Sequence, residues 1–199
     1  MIKAVIFDVG GVLLTYKTKG GRNPMPKLLG MPAKRYNSAK EPILHRWFQG
    51  KISNAEVFRI LGKEFGISPE KLARTELSAY KKYKTLDKPV FKLALSLKRA
   101  GYRIALLTNV TANYKAVNVS TLYKRFSPVV CSCDVGFRKP QRAIYKILLK
   151  RLRLPARQVI FFDDHKGHVE GAKKVGMHAA VFKNLKQMKV VLKSHGVKI

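Results

Sequence analysis

The sequence predicts an α/β protein, a doubly wound parallel sheet with a small helical insert after its first strand. Three observations carry that expectation. Short apolar runs with little polar alternation recur along the chain, the pattern of strands covered on both faces. Helical patterns with recognisable starts and stops lie between them, and such alternation implies parallel strands joined by right-handed crossovers. One stretch, residues 16–86, breaks the rhythm and carries helix signals alone.

Taken in order, the first strand is Lys3–Phe7, which runs directly into Asp8. The insert follows, with no convincing strand. Ser53-Asn-Ala-Glu56 is a capping box and Ser68-Pro-Glu70 a second helix start. Gly20-Gly21 and the Pro24–Pro26 stretch read as its hinge or flap. Asp87 then caps a helix over Pro89–Ala100 that Gly101 ends. A strand at Arg103–Leu107 and another at Pro128–Cys133 precede a helix that Pro140 opens and that runs to Leu152. Strands at Gln158–Phe162 and His178–Phe182 alternate with helices over His165–Val175 and Asn184–Ser194. This gives a core domain of residues 1–15 and 87–199 and a helical domain of residues 16–86.

The 199 residues suffice for one sizeable core carrying an insert. No apolar run approaches the roughly 20 residues a membrane helix needs. The apolar segment before Asp8 is too short for a secretory signal, so a cytoplasmic protein with no membrane partner is expected. Cys131 and Cys133 would share one face of their strand, and two thiols are too few for a zinc site. Buried strand thiols are the expectation.

Charge sets this chain apart: 41 Lys and Arg face 11 Asp and Glu, a net charge of +30. Such a field favours anionic partners, among them phosphorylated small molecules and nucleic acid. It says nothing of the fold. The few carboxylates inform by position. None lies between Lys88 and Cys133 or between Val135 and Phe162, yet Asp163 and Asp164 stand side by side after an apolar run. Adjacent like charges repel, so a cation is expected there.

Four spots with chemical potential fall at strand ends or helix starts, the edge where open α/β sheets bind ligands. Asp8 leaves its strand into the Gly10-Gly11 turn, where a carboxylate can be held rigidly as a nucleophile toward phosphorus. Thr108-Asn109 offers a hydroxyl and amides to phosphate oxygens. Lys139, before Pro140, can project its amine at the sheet edge and stabilise charge there. Asp163-Asp164 suits a hard divalent cation, typically magnesium.

The order and spacing of these spots resemble the haloacid dehalogenase (HAD) superfamily over essentially the whole chain. Gly136-Phe-Arg-Lys-Pro-Gln-Arg-Ala-Ile-Tyr145 and Phe162-Asp-Asp-His-Lys-Gly-His-Val-Glu-Gly-Ala172 look like its third and fourth motifs. The insert, with Phe48-Gln-Gly-Lys-Ile-Ser-Asn-Ala-Glu-Val-Phe58, is similar to the small helical cap of the branch containing sugar-phosphate phosphatases. The resemblance implies a Rossmann-like HAD core and a magnesium-dependent phosphatase that acts on a small phosphomonoester, such as a sugar or nucleotide phosphate. Asp8 would be the nucleophile and a metal ligand, with the Gly10 carbonyl, Asp163 and Asp164 also at the metal. Gly11, Thr108, Asn109 and Lys139 would hold phosphate, and Lys139 would balance charge.

One departure stands out. Most family phosphatases carry a second Asp two residues after the nucleophile as acid and base, and here that residue is Gly10. General acid–base help is worth about 10²–10⁴-fold in rate, so reduced activity is one consequence. His165 and His168 are alternative proton sources, His168 standing where the family usually has Asn. Trp47, His45, Arg46 and Arg22 are candidate pocket residues in the insert.

Two rival readings remain. Family dehalogenases use the same Asp against carbon without metal, and they typically lack the paired acids. Alternatively, the chain is a weakly active or non-catalytic HAD-fold protein that binds nucleic acid or another polyanion. Arg142, Lys146, Lys150, Arg153 and Arg157 recur at helical spacing, as do Lys186, Lys189 and Lys193, each opposite an apolar face. Tyr80, Tyr83 and the Lys81-Lys82-Lys84 cluster are the nearest approach to a base-stacking surface.

Overall fold

Apolar strands without polar alternation need cover on both faces, and the architecture supplies it. The computed structural model describes residues 1–18, 23–119 and 122–199. Gly20, Gly21 and Arg22, expected at a hinge and a pocket, lie outside them. Five parallel strands form the sheet: β1 (Ala4–Phe7), β4 (Arg103–Thr108), β5 (Val129–Cys131), β6 (Val159–Asp163) and β7 (His178–Val181), in the order β5-β4-β1-β6-β7. β1 is central, with Phe7 opposite Leu106 on one side and Phe162 on the other.

Side chains alternate between the two faces. Val5, Phe7, Leu106 and Phe162 join one apolar cluster, under helices α5 (Lys88–Arg99) and α10 (Leu185–Ser194). Ile6, Ala105, Leu107 and Phe161 join another, under α8 (Arg142–Leu152) and α9 (Lys166–Lys173). The basic stripes expected on α8 and α10 face solvent, opposite the buried Ile144, Leu148, Met188 and Leu192.

Among the described residues between β1 and α5 lie four helices, α1 (Met25–Leu28), α2 (Ala33–Phe48), α3 (Asn54–Phe65) and α4 (Pro69–Tyr83). They bury a third apolar cluster of their own, including Tyr36, Trp47, Phe58, Leu61 and Leu72. The anticipated caps form: Ser53 accepts from Glu56 N–H (3.1 Å) and Ser68 from Lys71 N–H (3.3 Å).

The insert does contain strands, against expectation. β2 (Leu14–Tyr16) and β3 (Lys84–Leu86) pair antiparallel where the chain leaves and re-enters the sheet domain. Three residues each is too short for periodicity to show, and the pairing is long-range in sequence. The strand expected over Pro128–Cys133 stops at Cys131, because Ser132–Val135 turns into the short helix α7. Ser132, fully buried, is held there: Val110 N–H donates to its hydroxyl (3.0 Å), which faces the Val110 carbonyl. Cys131 is therefore buried in the strand, whereas Cys133 lies in α7 and is only partly covered. Nor does Pro140 open α8, which starts at Arg142. Arg138 N–H donates to the Gln141 side chain (2.9 Å) and Gln141 N–H to the Arg138 carbonyl (2.8 Å), closing a turn first.

Helices and sheet domain meet through a buried polar knot. Glu76 of α4, 2 % exposed, accepts from Lys40 of α2 (3.1 Å) and from the Tyr114 hydroxyl (2.6 Å) of α6 (Ala112–Val119). Tyr80 stacks on Tyr114 at 4.2 Å and accepts from Asn118. Tyr80 is thus an internal packing residue and no part of a base-stacking surface. Removing one partner of a buried ion pair leaves the other charge uncompensated. Glu76→Ala is expected to cost about 3–5 kcal/mol in urea unfolding, and Tyr114→Phe about 1.5–3 kcal/mol. Equal midpoints for wild type and both variants would contradict this account.

Candidate functional site

The central strand delivers the first carboxylate. Asp8 follows β1, its N–H donating to the Phe162 carbonyl of β6 (2.9 Å). The chain then reverses: Leu13 and Leu14 N–H both donate to the Val9 carbonyl (3.0 and 2.7 Å), and Gly11 N–H to the Leu14 carbonyl (2.8 Å). None of these bonds uses the Gly10 carbonyl. The Asp8 side chain accepts from Val9 N–H at 2.7 Å.

β6 lies beside β1 in parallel register and ends on Asp163, so two carboxylates arrive at one sheet edge. Between them sits Lys139. Its ammonium is 2.8 Å from Asp8 Oδ1 and 2.6 Å from Asp163 Oδ2, and its side chain is 0 % exposed. The backbone of Lys139 is held from the end of β4: its N–H donates to Asn109 Oδ1 (2.8 Å), and Asn109 Nδ2 donates to its carbonyl (3.0 Å). Thr108, buried, precedes Asn109 at the end of β4.

On its other side Asp163 is engaged by α9. His165 N–H donates to Oδ1 (2.8 Å), and His168 Nδ1 lies 3.0 and 3.1 Å from the two carboxylate oxygens. The His165 and His168 rings stack at 4.6 Å. His168 is thereby committed to orienting Asp163. Asp164 completes the group as its exposed member: Asp8, Asp163 and Asp164 each offer an oxygen within 4.8 Å of the others.

Electrostatics follow from this crowding. Burial, reinforced by the Asp163 charge, pushes the Asp8 pKa up against the opposing pull of Lys139. For Asp163 burial also pushes up, but Lys139 and His168 together outweigh it and hold the carboxyl below its usual range. Burial and the Asp163 charge push Asp164 up. Lys139 is held above the ordinary ammonium range: burial opposes its charge, and Asp8 and Asp163 more than offset that. Three carboxylates share one ammonium, leaving an excess of two negative charges that one divalent cation balances. The donors are all oxygen, the preference of magnesium.

Sequence reasoning placed the eight site residues on four segments, and the fold gathers those segments at one edge of the sheet. It does not gather the proposed pocket residues of the insert. Trp47 is 2 % exposed, donates to Asn54 (2.7 Å) and meets Phe58 edge-on. It borders a cleft of 680 Å³ with Ile52, Lys115 and Asp134, which no site carboxylate lines. His45 and Arg46 are exposed on α2.

Two residues have roles that the sequence did not single out: Lys84, read there only as part of a lysine cluster, and Glu76. Lys84 of β3 is half-buried with its ammonium 4.0 Å from the centre of the Tyr16 ring, its partner across the β2–β3 ribbon. In sequence it stood in a run of lysines, where nothing marks one from the next. Glu76 could have been found, since it sits four residues after Leu72 and three before Ala79, on the buried face of α4.

Known proteins add the family context. The model of the haloacid dehalogenase-like hydrolases matches residues 2–176. The chain is similar to the sesquiterpene phosphatase astK of Aspergillus oryzae, 27% identical over 177 residues, covering 88% of this chain and 87% of that protein. It is 24% identical over 188 residues to the drimenol cyclase drtB of Aspergillus calidoustus, 92% of this chain but only about a third (34%) of that longer protein. In fold it resembles the HAD-family enzyme bt-2542 of Bacteroides thetaiotaomicron, solved with magnesium and inorganic phosphate. The TM-score is 0.73 at 19% identity, covering 94% of this chain and 99% of that one.

Two predictions follow from the geometry. Gly11 has a φ of +79°, and a Cβ there would lie 2.0 Å from Asp164 Oδ2. Gly11→Ala is expected to lose about 1–2 kcal/mol of stability from the left-handed backbone and to displace Asp164. Denaturant melts with and without magnesium check both effects. Magnesium itself should raise the thermal midpoint, by the equivalent of about 2.7 kcal/mol at a hundred times its Kd. EDTA should reverse the rise and Asp164→Asn should shrink it. A midpoint indifferent to divalent cations would refute the metal site.

Proposed function

Because the chain belongs to the haloacid dehalogenase-like hydrolase family, we propose that it is a magnesium-dependent phosphatase acting on small phosphomonoesters through Asp8. The observation that carries this is the buried Lys139 ammonium shared by Asp8 and Asp163, with Asp164 completing an all-oxygen triad. The relatedness to a sesquiterpene phosphatase and the fold likeness to an enzyme solved with magnesium and phosphate support the same reading.

Asp8, Asp163 and Asp164 would hold the metal together with the Gly10 carbonyl. Magnesium bound there supplies positive charge against the phosphoryl oxygens. Asp8 attacks phosphorus: its carboxylate oxygen forms the new P–O bond as the bond to the leaving alkoxide breaks. Thr108, Gly11 and the Asn109 backbone bind the phosphoryl oxygens. Lys139 neutralises the charge that builds up between Asp8 and the transferred group, and costs no reorganisation because Asn109 already fixes its backbone. Water then attacks phosphorus, releasing phosphate and regenerating Asp8. The helical segment 16–86, with its own apolar cluster and the β2–β3 ribbon at its base, is assigned as the cap over this edge. The paired acids argue against dehalogenation, which needs no cation.

Phosphate release from a panel of small phosphomonoesters, with and without magnesium, tests this reading. Magnesium-dependent turnover is expected in the wild type and a loss of at least about 10³-fold in Asp8→Asn, since the covalent route is removed. Turnover retained by Asp8→Asn would overturn it. A Cβ on Gly10 would meet nothing within 4 Å, and the residue has an ordinary φ, so the backbone there accepts a side chain. Gly10→Asp is therefore expected to raise kcat on poor leaving groups by about 10²-fold, the lower end of general acid–base help.

A further inference from the structure

Among the described residues, the buried cations around the site have partners, and Lys84 stands apart from them. Lys139 is spent on Asp8 and Asp163. Lys40 is spent on Glu76, with its ammonium also 3.1 Å from the Tyr36 hydroxyl. Lys84 is different. Among the described residues its ammonium makes no ion pair, and its recorded contact is the face of the Tyr16 ring at 4.0 Å. The carboxylates whose charge it feels are Asp8 and Asp164. Burial works against its charge, so the ammonium is held partly out of water without a dedicated counter-ion.

Its position follows from the ribbon. β2 begins at Leu14, only three residues beyond Gly11, and β3 brings Lys84 opposite Tyr16. Lys84 thus stands where the chain passes from the site into the helices. In-line displacement puts the leaving group opposite the attacking Asp8 oxygen. Asp8 has the sheet behind it, so the leaving group emerges from the sheet edge toward the helical segment. With a divalent cation bound, the three carboxylates and Lys139 are balanced and the metal meets the phosphoryl group, while Lys84 adds a cation on the β2–β3 ribbon, along the path from the site into the helices.

We propose that Lys84 is a specificity-determining residue that selects phosphomonoesters whose leaving group carries a second anion, a carboxylate or another phosphate. This rests on the phosphatase reading and names its substrate class. Tyr16 holds the ammonium in place with its ring, a contact that is stronger half-buried than exposed.

Two matched substrate pairs test it. One pair is 2-phosphoglycolate and 2-hydroxyethyl phosphate, which differ by a carboxylate; the other is 1,3-propanediol bisphosphate and its monophosphate, which differ by a phosphate. Wild type is expected to prefer the member with the second anionic group, in at least one pair, by about tenfold or more in kcat/KM. The pair that responds identifies the second anion. In Lys84→Met that preference should fall about 10- to 100-fold, chiefly through KM, and Lys84→Arg should restore most of it. Turnover without a preference in either pair, or a preference that Lys84→Met leaves intact, overturns the assignment and spares the phosphatase. A loss shared equally by both members marks Lys84 as a structural neck residue and also overturns it. If the wild type turns over none of the four, and Asp8→Asn is indistinguishable from it, the phosphatase reading fails and the assignment falls with it.

Discussion

A single ammonium group, fully removed from solvent, holds the working edge of this sheet together. Burying an ion costs several kcal/mol even after relaxation, and only close, well-placed partners offset it. Lys139 has them at 2.8 and 2.6 Å, on two different strands. The dependence runs both ways. Without Lys139, Asp8 and Asp163 would be forced together by the parallel register of β1 and β6 with nothing between them. Without those carboxylates, the ammonium could not stay buried. Asn109 locks the lysine backbone from β4 and His168 braces Asp163 from α9, so four separate segments converge on one charge.

That convergence explains why so basic a chain carries a compact acidic centre. The net charge of +30 creates a field that draws anions from a distance. Within a Debye length, about 8–10 Å at ordinary ionic strength, local groups decide what happens. There the three carboxylates repel an incoming phosphoryl group unless a cation intervenes. The exposed stripes on α8 and α10 are sufficiently explained as the solvent faces of amphipathic helices, because the opposite face of each is buried in the core.

What the sequence revealed follows the physics of each feature. Strands covered on both faces are continuous apolar runs, so β1, β4 and β6 could be read to within a residue or two. Helix starts were legible where a side chain caps them, at Ser53, Ser68, Asp87 and Asn184. The candidate site residues could be singled out because their segments end strands or begin helices, and the fold brings those segments to one edge. The β2–β3 ribbon was not, since three-residue strands show no period and their pairing spans some 70 residues of chain. The start of α8 was misread because the Arg138–Gln141 turn forms by a side-chain contact that propensity does not register. The Asn109 clamp was missed for a related reason: its side chain is taken by a backbone 30 residues away, which no local pattern registers.

Gly10 and Lys84 have a shared consequence for the chemistry. Where family phosphatases place an acid two residues after the nucleophile, this chain has backbone with open space around it. A leaving alkoxide then departs without a proton donor from that position, and its developing charge must be met in another way. His168 turns its Nδ1 toward Asp163. An ammonium at the neck meets such charge by electrostatics, without transferring a proton and without reorganising during the reaction. Holding an anionic leaving group and easing its departure are then the work of one residue. Turnover in such a site depends on what the leaving group carries, and the substrate range narrows for the same reason that the acid is missing.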